Sequence, residues 1–256
     1  MIPKVIHYCW FGHNPLPPLA QRCIESWKKY LPDYEIKEWN EDNFPIGYND
    51  YVKEAYEAKK WAFVTDVVRL YALVTEGGIY MDTDVEVLKP LDTLLQYEAV
   101  SGFEDNKHIP TGLMASEAHQ PLFEELLSDY NGVHFRNSDG SLDTTTNVKR
   151  ITRTCTKYGF IPNNQKQTVK GFTLLPNDYL CPKDYNTKKI NITHNTLTIH
   201  HFDGSWGTPK SRYANNLMEK LNFLPQPMNL FFSSAIAVLK YEGIVSWIKR
   251  KYHKKA

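Results

Sequence analysis

The chain has 256 residues, and its 30 Lys and Arg against 29 Asp and Glu leave a formal charge of +1, so there is no electrostatic case for nucleic acid as a partner. Hydrophobic residues make up 42% and charged residues 23%, an ordinary balance for a soluble globular protein long enough to bury a sizeable core. Cys9, Cys23, Cys155 and Cys181 include no C-x-x-C pair, so a zinc site or redox motif is not expected and reduced thiols of a cytosol are the default.

In chain order, residues 4–10 form a short β-branched and aromatic run closed by Gly12, which predicts a buried strand and not an export signal. The prolines of "NPLPPLAQRCIESWKKYLP" open a helix on which Leu19, Cys23, Ile24 and Trp27 recur at helical spacing. "YEIKEW" alternates as a second strand, and this order predicts a βαβ unit and a largely parallel sheet. Residues 61–76 carry a helical stripe of Phe63, Val64, Val67, Leu70, Tyr71 and Val74, stopped by Gly77-Gly78. A third strand follows at 79–81 and is expected to continue at 85–88, with another at 98–103. The Asn-, Asp-, Gly-, Ser- and Thr-rich stretch 131–147 predicts a mobile loop near a site. The last segment, "MNLFFSSAIAVLKYEGIVSWIKRKYHKKA", is too interrupted to span a bilayer comfortably; it fits an amphipathic helix on an anionic membrane surface or a helix packed on the core.

Chemistry concentrates at "GGIYMDTDVEVL" (77–88). Residues i and i+2 of a strand point the same way, so Asp82 and Asp84 can converge, and two such carboxylates repel until a cation compensates them. Hard divalent ions such as Mg²⁺ and Mn²⁺ prefer oxygen ligands and often carry substrate phosphates as well. Asp66 and Arg69, three apart on the preceding helix, share one face. Far downstream, "IHHFDGSW" (199–206) supplies His200 and His201, one of which must point inward on a strand.

The pattern A-x-x-x-D-x-x-R…G-G-x-Y-x-D-x-D is filled by Ala62, Asp66, Arg69, Gly77, Gly78, Tyr80, Asp82 and Asp84. With N-terminal "IPKVIHYCWFG" and "HHFDGSW", it resembles the D-x-D sugar-transferase family, glycosyltransferase family thirty-two, which includes yeast initiating α-mannosyltransferases and many bacterial capsule enzymes. The large clostridial glucosylating toxins are a more distant likeness. The resemblance implies a GT-A fold: an α/β, Rossmann-like, mostly parallel central sheet flanked by helices. The likeness covers residues 2 to about 206; the domain is read as residues 1–225, with 226–256 as an amphipathic, basic helical extension that fits membrane association.

By position in that family, Asp84 is the direct ligand of Mn²⁺ or Mg²⁺, and Asp82 reaches ribose and sugar hydroxyls or the ion through water. Asp66 and Arg69 hold the donor sugar, and with Asp82 they form the expected catalytic set. Trp10 stacks on the base, Tyr80 joins the donor-binding residues, and Ser205 and Trp206 close over the diphosphate. His201 takes the place of a metal-binding histidine before a Phe-x-Gly stretch, with His200 less favoured. "DTTTN" (143–147) matches poorly the T-G-P-like segment of the mannosyltransferase branch.

The activity implied is retaining transfer of a hexose from a nucleotide-sugar, UDP-galactose or UDP-glucose ahead of GDP-mannose. The acceptor is a glycan of surface or capsular polysaccharide, lipid-linked, and the protein is cytoplasmic and peripheral on the inner face of the cell membrane. Two rival readings are a haloacid-dehalogenase-like phosphatase and a non-catalytic sugar-nucleotide-binding protein. The first needs an acidic pair after a glycine, and no G-D-x-x-x-D is present in the chain.

Overall fold

The computed structural model describes residues 1–204 and 208–253. Two compact units divide the chain: residues 1–182 with 191–201, and residues 183–190 with 202–256.

The first unit opens with the expected strand–helix–strand: β1 (Val5–Cys9), α1 (Pro18–Tyr30) and β2 (Glu35–Trp39). Pro18 occupies the first turn of α1, where a missing N–H costs nothing, and Cys23, Ile24 and Trp27 are its buried stripe. α2 (Asp50–Glu57) starts at Asn49, whose side chain accepts the Val52 N–H at 2.8 Å. α3 (Trp61–Glu76) leads through Gly77 into β3 (Gly78–Met81), followed by β4 (Val85–Val87), β5 (Ala99–Gly102) and β6 (Leu113–Ser116). The remaining elements are α4 (Pro121–Ser128), α5 (Asn147–Lys157), β7 (Gln167–Val169), β8 (Phe172–Leu175), the single turn α6 (Asn177–Leu180) and β9 (Thr198–His200).

Seven strands form the central sheet in the order β2-β1-β3-β6-β5-β8-β7. The pairings β1–β2, β1–β3 and β5–β8 are parallel; β3–β6, β5–β6 and β7–β8 are antiparallel. The architecture is therefore α/β, a helix-flanked sheet, with its parallel N-terminal half in the βαβ unit and antiparallel pairing centred on β6. Alternation along the strands builds two cores. Tyr80 and Met114 face the one that holds Val64, Val67, Leu70 and Phe123, whereas Ile79, Met81 and Leu113 face the one that holds Ile24 and Trp27. Buried on both sides, β3 is a continuous apolar run.

Residues 85–88 do not prolong β3 as the sequence suggested. The chain turns at the aspartates, where the Val85 N–H donates to the Asp82 carbonyl at 3.0 Å. β4 then joins a separate two-stranded sheet with β9, antiparallel, with Val85 opposite His200 and Val87 opposite Thr198. α1 holds β4 from one side, since the Trp27 indole donates to the Val85 carbonyl at 2.7 Å and Ser26 Oγ accepts the Val87 N–H at 2.9 Å.

In the second unit lie α7 (Pro209–Lys220) and α8 (Met228–His253), the latter interrupted by non-helical backbone at Gly243. Thr208 caps α7 by accepting the Ser211 N–H at 3.2 Å. Among the described residues, no helix is long and apolar enough to cross a membrane.

Candidate donor and metal site

α3 is helical because its apolar stripe docks on the sheet, and the same winding buries Asp66 and Arg69 one turn apart. Gly77 ends the helix at φ +67° and Gly78 follows at φ +110°. A Cβ on Gly77 would lie 2.7 Å from Ala118 N, and one on Gly78 2.7 Å from the Val5 carbonyl oxygen, so glycine is required on space as well as on φ. This corner carries the chain straight from the Asp66–Arg69 face into β3 and the paired aspartates. His7 closes it from below: its Nε2–H donates to the Gly77 carbonyl at 2.7 Å while Nδ1 accepts the Trp39 indole N–H at 3.1 Å.

Arg69 is 4% exposed and uses its whole fork. Nε donates to the Thr65 carbonyl at 3.1 Å, Nη1 to the Thr111 carbonyl at 2.6 Å, and Nη2 to Thr65 Oγ1 at 3.2 Å. The guanidinium also lies 3.4 Å from Asp66 Oδ1 and 3.2 Å from Asp82 Oδ1, over the Tyr80 ring at 4.6 Å. Tyr80 is buried and donates its hydroxyl to Asp82 Oδ1 at 2.8 Å. Burial raises the Asp66 carboxyl to about 7, opposed by Arg69 and assisted by Asp82. Asp66 is held in turn by Asn147 at the start of α5, which donates its N–H to Oδ2 at 3.3 Å and its side-chain amide to the Asp66 carbonyl at 3.0 Å.

Asp82, Asp84 and His200 form the second half of the site, each offering a ligand atom, all within 4.8 Å of one another. His200 Nε2 is 3.3 Å from Asp84 Oδ1. Burial alone would lower the His200 pKa, yet the Asp84 charge, with hydrogen bonds to Asp84 and Cys181, raises it well above the usual imidazole value. Gly112 makes the space for the ring, because a Cβ there would stand 2.7 Å from His200 Cε1, and its carbonyl accepts the Asp82 N–H at 2.8 Å. Two carboxylates and an imidazole that would give up its proton to an incoming ion are a fitting donor set for a divalent cation.

The histidine in this cluster is His200, where the sequence expectation favoured His201. Pairing Val85 with His200 turns the His200 side chain toward Asp84, and His201 points elsewhere, its Nε2 2.8 Å from Glu86 Oε2. Trp10 follows β1 with its N–H on the Trp39 carbonyl at 2.9 Å and its indole donating to the Asn14 carbonyl at 2.5 Å, leaving the ring partly exposed. Ser205 and Trp206, assigned to the diphosphate, lie outside the described residues.

Sequence reading missed Thr111, Gly112 and Asn147, which contribute backbone groups or small surfaces without a motif. It also missed Glu104, the residue after Phe103 beyond β5. Burial raises its carboxyl pKa; His200 and His108 oppose the rise, and Asp105 and Asp82 add to it.

Residues 17–101 match the family model described as a glycosyltransferase sugar-binding region containing a DXD motif, and Asp66, Arg69, Tyr80, Asp82 and Asp84 lie inside the matched stretch. Inositol phosphoceramide mannosyltransferase 3 of Schizosaccharomyces pombe is 33% identical over 106 residues, 38% of this chain and 28% of the yeast protein. An uncharacterized glycosyltransferase, L373, of Acanthamoeba polyphaga mimivirus is 26% identical over 86% of this chain and 89% of its own length. The chain thus spans under a third of the yeast enzyme's length and most of the viral protein's. Among solved structures, the PaToxG glycosyltransferase aligns at a TM-score of 0.48 and 17% identity, over 61% of this chain and 68% of that one.

Proposed function

We propose that this protein is a metal-dependent, retaining glycosyltransferase that moves a hexose from a nucleotide-sugar, a UDP-hexose such as UDP-galactose or UDP-glucose ahead of GDP-mannose, to a glycan acceptor. The observation that carries this reading is the convergence of Asp82, Asp84 and His200 beside the buried Arg69–Asp82–Tyr80 network, inside a region matched to sugar-binding glycosyltransferases. Mn²⁺ suits the donor set better than Mg²⁺, since an imidazole nitrogen joins the carboxylate oxygens.

Asp84 and His200 would hold the ion, with Asp82 beside them. A bound divalent ion supplies Lewis-acid neutralisation of the leaving diphosphate. The chain's own residues do the rest. Asp82 is fixed on one oxygen by Arg69 and Tyr80, so its other oxygen is oriented to accept a ribose or sugar hydroxyl. Arg69 is held by Thr65 and Thr111, and its positive charge adds to the field that stabilises the diphosphate as it departs. Asp66 sits behind it and sets the local charge balance with Arg69. Positive charge develops at the sugar C1 as its bond to phosphate breaks and the acceptor hydroxyl attacks. Trp10 is assigned to the base, and Trp206 with Ser205 to excluding water from the diphosphate.

The acceptor in this reading belongs to surface or capsular polysaccharide and is lipid-linked at the inner membrane face; the apolar and basic character of residues 228–256 supports it. A phosphatase reading is disfavoured because the first aspartate, its required nucleophile, is tied to Arg69 and Tyr80. Incubation with a panel of nucleotide-sugars and Mn²⁺ tests the proposal: one donor should release its nucleoside diphosphate and raise the thermal midpoint, and EDTA should abolish both. A chain that binds a donor yet never releases nucleotide, with or without glycan acceptors, is a binding protein and not a transferase.

A further inference from the structure

α8 is built inside out. A helix at a protein surface ordinarily turns its large apolar residues inward and its polar ones to water. Here Asn229, Ser233 and Ala237, spaced i, i+4, i+8, form the buried face, with Asn229 2% and Ser233 0% exposed. The Asn229 amide donates to the Met218 carbonyl on α7 at 3.1 Å, and Ser233 Oγ donates to the Asn229 carbonyl at 2.9 Å, so this small, polar stripe is the one seated on the neighbouring helix. Val238 is buried with them, but most of the large apolar residues go the other way. Met228, Phe232, Ile236 and Leu239 recur at i, i+4, i+8 and i+11, one continuous stripe, and all are exposed. Phe231, 57% exposed, flanks it, and Phe223 before the helix is 74% exposed. So many adjacent exposed apolar side chains mark a surface that meets an apolar phase or partner.

Charge selects among the occupants. From residue 240 onward the sequence holds Lys240, Lys249, Arg250, Lys251, Lys254 and Lys255 against one acid, Glu242, and Glu242 is paired with Lys210. A second copy would carry the same positive excess, which disfavours self-association through this segment. An anionic lipid surface offers both an apolar layer for the stripe and negative headgroups for the basic residues.

We propose that the Met228–Phe232–Ile236–Leu239 stripe of α8 is a docking face for anionic membrane surfaces. This deepens the membrane-acceptor part of the proposed function by assigning its contact residues, and it stands on observations separate from the donor site.

The test is co-sedimentation of the full chain with phosphatidylcholine vesicles, with and without phosphatidylglycerol. The unmodified chain should pellet with the anionic vesicles, weaken steeply as salt rises, and stay in solution with phosphatidylcholine alone. The double variant Phe232→Ser, Ile236→Ser should bind at least about tenfold more weakly, since each buried methylene carries a sizeable share of interfacial affinity. Both side chains are exposed, so its thermal midpoint should hold. Absence of pelleting by the unmodified chain, or equal binding by a folded variant, overturns the proposal. So does self-association of the lipid-free chain that the variant abolishes, which would assign the stripe to a second copy. Donor hydrolysis measured without vesicles reports on the transferase reading alone, so loss of docking with hydrolysis intact sinks only this inference.

Discussion

Arg69 restrains Asp82 from the protein side: its Nη1 lies 3.2 Å from the same Asp82 Oδ1 that accepts the Tyr80 hydroxyl at 2.8 Å. One oxygen of the first aspartate is thereby committed to the scaffold, and only the other is available to a ligand.

Removing the guanidinium exposes that dependence. Arg69→Ala leaves Asp66 and Asp82 facing each other without a counter-charge in a buried setting, and it should cost about 3–5 kcal/mol of stability, with donor binding lost as well. Urea denaturation checks the first and donor-induced thermal shift the second. A midpoint unchanged from the parent would show that the network is not holding the fold there.

His200 and His201 separate cleanly by experiment. His200→Asn should weaken Mn²⁺ binding by about 10–100-fold, as loss of a ligand or its close support does, whereas His201→Asn should leave it within about twofold. Mn²⁺ titration followed by electron paramagnetic resonance reads both directly. The reverse ranking would return the metal role to His201.

Gly112→Ala probes the same site from behind. The backbone there needs no left-handed φ, but the new Cβ would stand 2.7 Å from the His200 ring and push it off the aspartates. The expected result is roughly tenfold weaker Mn²⁺ affinity in a chain that still folds. Affinity equal to the parent's would mean that His200 does not need this cradle.

His7 predicts a pH dependence. Burial lowers its pKa below the usual 6.5 against the opposing Gly77 carbonyl, and the Trp39 N–H on Nδ1 is accepted only by the neutral ring. The unfolded chain therefore binds a proton that the folded chain refuses. The stabilising contribution is full above 6.5 and is lost as the pH falls below it, with a slope of up to about 1.4 kcal/mol per pH unit. His7→Gln should remove that part of the acid sensitivity, measured as the difference in urea midpoint between pH 7.5 and pH 5, two values chosen as roughly one unit or more either side of the free imidazole. Parallel acid slopes in parent and variant would contradict it.

The half of the site built from one continuous stretch was readable in the sequence. Asp66 and Arg69 share a helix face by spacing alone, Gly77-Gly78 marks the corner, and the aspartates follow within a few residues, so local geometry was enough. What escaped depends on partners distant in sequence. Choosing between adjacent histidines requires the β4–β9 register, which is set by strand pairing across residues 85–87 and 198–200. Thr111 enters through a carbonyl and Gly112 through an absent side chain, neither of which leaves a pattern. Asn147 ends the stretch expected as a mobile loop, yet it sits buried against Asp66. The continuation of β3 through 85–88 was misread because "VEVL" suits any strand; only the turn at Asp82 sends it into another sheet.

The Gly77–Gly78 corner has a consequence for how such a protein can diversify. With Ala118 N and the Val5 carbonyl crowding the two positions, no substituent fits, and the angle between α3 and β3 has no graded adjustments available to it. Charges mounted on these two arms keep their separation through any drift that leaves the chain folded. Residues 104–112 and the start of α5 reach the same charges from outside this bracket, through the Thr111 and Gly112 carbonyls and Asn147. The corner thus behaves as a fixed bracket, and any change in the spacing of those charges has to come from the segments that meet it.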